Sequence, residues 1–139
     1  MNQINLAKQR LLDADSMPGL LAAGWEAFEL VIAVAAAKAD QSPDMYPALT
    51  LARGSAVSGR NAIAFAPSMP EDYAAPPDQP AADKSDIDDV AEAVAGLASV
   101  LSERLQDAAG RAPDAGDRAA CENAARHAEQ IAKLLARGQ

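Results

Sequence analysis

The sequence predicts an all-α fold of about five helices: a helical bundle with a central apolar helix and a C-terminal antiparallel helical hairpin. Three observations carry this. Alanine, the strongest helix former, supplies 35 of the 139 residues. Val, Ile and Thr number only 12 and form no alternating run, so a sheet would lack the β-branched residues that fit a pleated surface. Apolar residues recur instead at spacings of three and four. The length suits one domain, residues 1–139, and 33 large apolar side chains give it a thin core.

The first helix is expected over Ile4 to Asp13, with Ile4, Ala7, Leu11 and Leu12 on its apolar face, ended by the polar run at 13–16. Ser16 then caps a second helix, with Pro18 in its first turn where a missing N–H does no harm, running to about Lys38. Leu20, Leu21, Trp25, Phe28, Leu30, Val31, Ile32 and Val34 sweep roughly 220° of that helix at about 100° per residue. Such a helix must touch more than one neighbour. Asp44 is the expected cap of the third helix, because it puts Pro47 in the first turn. Met45, Leu49, Ala52 and Val57 would face inward, and the helix would pass Gly54 and Gly59 to about Ala66, stopped by Pro67.

Five of the nine prolines fall between Pro67 and Ser85, so residues 67–84 read as a Pro-rich acidic linker between N-terminal helices (1–66) and a hairpin (85–138). Ser85 and Asp88 resemble a capping box, after which Ile87, Val90, Val94, Leu97, Leu101, Leu105 and Ala108 recur at helical spacing until Gly110. Asp114 caps the last helix, whose seam is Cys121, Ala124, Ala128, Ile131 and Leu135, closing at Gly138.

Charge narrows the function classes. The net charge is −8, and residues 71–92 hold eight acids against Lys84, while the rest of the chain is nearly neutral. No basic stripe with interleaved aromatics is present to neutralise phosphates, so no nucleic-acid partner is expected. The longest apolar stretch, residues 20–37, meets the length of a membrane span but carries Glu26 and Glu29 near its middle, each costing roughly 2.5 to 3.5 kcal/mol at a bilayer centre. It reads as a buried helix, and with no leader-like N-terminus the expected compartment is the cytoplasm.

One Cys and one His cannot build a multi-Cys/His metal site. Cys121 and His127, six residues apart on one helix, would sit about 120° and roughly 9 Å apart, too far for a nucleophile and its base. Glu26 and Glu29 read as a solvated face, since the Glu-x-x-His pairs of a dimetal bundle are absent. No catalytic or metal-ligating residue is therefore assigned, no cofactor is expected, and the chain reads as a non-enzymatic interaction or accessory protein. The alternative is a small-molecule binding bundle, its apolar pocket near Trp25 and Phe28 with Glu26, Glu29 and Tyr46 as further lining. An enzyme without a cofactor would have to use Glu26, Glu29, Tyr46, Arg53 or Arg60. A homodimer is expected, with a protein partner as a further possibility, because the apolar arc of the second helix and Val100 on the fourth have no evident cover within the chain.

Overall fold

A computed structural model describes residues 2–70 and 87–137 and forms five helices: α1 (Asn2–Asp13), α2 (Met17–Ala39), α3 (Tyr46–Ala64), α4 (Ile87–Arg111) and α5 (Ala115–Arg137). No strand occurs among the described residues. The Pro-rich stretch beyond Pro70, the capping box at Ser85 and the closing Gly138 lie outside them.

Local chemistry sets most helix ends. The Ser16 hydroxyl accepts from the Gly19 N–H at 3.1 Å and starts α2. Asp114 Oδ1 accepts from the N–H groups of Gly116 at 2.8 Å and Asp117 at 3.1 Å, satisfying two orphan donors of α5. The third helix departs from expectation. Its N-cap is Met45, with no side-chain cap bond, and Asp44 stays in the preceding turn. Met45 is instead drawn into the core, 5% exposed, so packing chooses the first residue of α3 over capping. The helix ends at Ala64 rather than Ala66, with Phe65 as its C-cap.

Four helices form a ring in the order α2, α3, α5, α4, and α1 lies across α2 and α4. The diagonal pairs α2–α5 and α3–α4 make no close backbone approach among the described residues. Short connections make α2 antiparallel to α3 and α4 antiparallel to α5. Ser55 bonds Gln130 while Ser68 bonds Asp117, so α3 and α5 are antiparallel as well. It follows that α3 and α4 run in the same direction, and the end of α3 and the start of α4 lie at opposite ends of the bundle.

The central role expected of α2 is realised: it packs on α1, α3 and α4. By length and composition this helix could also cross a bilayer; in the bundle 56% of its apolar stretch is buried, with Leu21, Ala27 and Phe28 fully so. The expected hairpin seam is buried along both helices, from Val90 to Ala108 and from Cys121 to Leu135. Val100, expected to lack a partner, is partly buried against the core. Its neighbours along the helix, Gly96 and Arg104, both meet α1, so α1 is what covers that side of α4. Arg104 donates to the carbonyls of Leu11 at 3.0 Å and Ala14 at 2.7 Å, which ties the C-terminal end of α1 to α4.

The buried row of α3 is Leu49, Ala52, Ala56, Gly59 and Ile63, leaving Val57 only half-buried. Gly59 sets this rotation. A β-carbon placed there would stand 2.5 Å from Phe28 Cε1 and closer still to Cζ, so the ring of Phe28 occupies the space that glycine leaves open.

Residues 67–70 are not a free linker. The Ser68 N–H donates to Asp117 Oδ1 at 2.9 Å, the Ser68 hydroxyl donates to Asp117 Oδ2 at 2.5 Å, and Pro67 lies against Gly116. The segment leaving α3 is thereby docked on the first turn of α5.

Candidate functional site

The five residues expected around a ligand do not converge. Phe28 is 0% exposed and pressed on Gly59, so it fills the core space that the glycine leaves open. Trp25 is half-buried and packed against the same core cluster. Tyr46, half-exposed, opens α3 at the end of the bundle opposite Trp25.

Glu26 and Glu29 diverge to different neighbours. Glu26 accepts from Arg10 of α1 at 2.8 Å, and Glu29 accepts from Arg60 of α3 at 2.6 Å. The expectation of a plain solvated face is corrected here: flanking helices approach close enough on both sides to place a guanidinium over each carboxylate. The Glu29–Arg60 pair is the more enclosed, with side chains 16% and 29% exposed. Both pairs act as cross-helix ties, individually worth about 0–1 kcal/mol at this degree of exposure. Each glutamate thus has an arginine of a different neighbouring helix as its partner. The arginine partners are what sequence reading missed, because Arg10 and Glu26 are 16 positions apart and Arg60 and Glu29 are 31.

Cys121 and His127 stay on one unbroken helix and form no pair. The thiol is fully buried, and desolvation, reinforced by Asp117 and then Glu122, pushes it up to about 11. A thiol so placed is almost wholly protonated near neutrality and is a poor nucleophile. Alkylation by iodoacetamide at pH 8 is therefore expected to be negligible in the folded protein and complete in denaturant. Rapid labelling of the native chain, followed by mass spectrometry, would contradict the burial. The Nδ1 atom of His127 is buried and has no hydrogen-bond partner among the described residues, although the ring as a whole is only half-buried.

An open recess of about 340 Å³ lies where α1 meets α2, lined by Arg10, Asp13, Ala14, Asp15, Gly19 and Glu26 among others. Its arginine is already paired with Glu26. Among the described residues, no group of three or more His, Cys, Asp or Glu is placed to hold a metal ion.

What distinguishes the surface is α3. Its only charged residues are Arg53 and Arg60, both on the side facing α2, and Arg60 is paired with Glu29. The outward face carries Leu51 at 59% exposure and Phe65 at 86%, with the exposed Gly54, Ser58 and Asn61 between them. By contrast, the outer face of α5 is a ladder of charges, with Lys133 and Glu129 paired at 3.1 Å and Arg126 bonded to Asn123. Leu6 and Leu12 of α1 are exposed as well, the latter against its expected place on the apolar face, but among the described residues the two most exposed large apolar side chains are those on this uncharged side of α3. No family model matches the sequence, and no curated protein or solved structure matches it either.

Proposed function

We propose that this chain works by contact: a non-enzymatic helical interaction module, acting in the cytoplasm, whose docking surface is the outer face of α3. The observation that supports this reading is the placement of Leu51 and Phe65, two of the most exposed large apolar residues, on a face with no charge. Water around these groups is released when they are covered, and interface centres are depleted in charge for the same reason. The ion pairs at Glu26 and Glu29 and the buried Cys121 supply structure rather than reactivity, which favours contact over chemistry.

The test replaces Leu51 and Phe65 together by glutamate. Both are exposed, so the bundle is expected to keep its helix content by circular dichroism. In native extracts of its source, the wild-type chain is expected to migrate in an assembly larger than itself, and the variant to run as the free chain. A wild type that runs alone, indistinguishable from the variant, overturns the proposal.

A further inference from the structure

We draw no further inference here: the strongest candidate, the uncharged outward face of α3 between Leu51 and Phe65, belongs to the docking surface already described, and nothing in the structure shows what covers it.

Discussion

Gly59→Ala is expected to destabilise the protein by about 1–3 kcal/mol, despite alanine being the better helix former by about 1 kcal/mol. The added methyl would stand no farther than 2.5 Å from two atoms of the Phe28 ring, which is itself 0% exposed and has nowhere to retreat. Removing the ring, as in Phe28→Ala, should cost more, about 3–5 kcal/mol, because it leaves a cavity in a thin core. The pair is diagnostic in combination. Once Phe28 is replaced by alanine, Gly59→Ala meets no obstacle, and its effect should shrink to nothing or become stabilising. Gly54→Ala is the control: a β-carbon there has no neighbour within 4 Å, so the same exchange in the same helix should stabilise by about 0.5–1 kcal/mol. Urea unfolding followed by helix content decides each. Equal effects at positions 54 and 59 would mean that α2 and α3 do not approach as described.

Asp117→Ala should cost about 2–3 kcal/mol, through the loss of two hydrogen bonds to a charged, buried acceptor. Asp117 is 3% exposed and holds both the N–H and the hydroxyl of Ser68. It also sits in the first turn of α5, where a carboxylate is favoured by the helix dipole. Ser68→Ala removes only the hydroxyl and should cost about 1 kcal/mol. A proteolysis assay separates the local role from the global one: in the aspartate variant, cleavage next to Ser68 should rise before the bundle unfolds. Wild-type stability and wild-type cleavage in Asp117→Ala would show that residues 66–70 are not docked on α5. The same variant removes one of the charges that hold the Cys121 thiol protonated, so that thiol should ionise more readily.

The helices were legible in the chain because their signals are local. A cap such as Ser16 or Asp114 acts on a backbone N–H two or three residues away, and an apolar face repeats every three or four positions, so neither needs knowledge of the neighbour. The candidate site was far less legible. The stripe from Leu51 to Phe65 lies in the sequence at helical spacing, but so do the inward residues of α3. Periodicity alone does not say which of two opposite faces meets the core. Glu26 and Glu29 looked alike for the same reason, with nothing in their spacing to reveal that one faces α1 and the other α3.

Sequence by itself determined the all-α class, the five helices, most of their ends to within a residue or two, and the seam of the hairpin. Tertiary structure decided the partners. It set α1 across α2 and α4, turned α3 so that Gly59 receives Phe28, fixed Pro67 and Ser68 to the start of α5, and left the face of Leu51 and Phe65 outward. The division is physical. Propensity and capping are settled by bonds spanning three or four residues, whereas the choice of neighbour depends on the fit between side chains tens of positions apart. That fit is a property of the packed bundle, because a ring placed against a missing β-carbon gains its contacts only when both helices are already there.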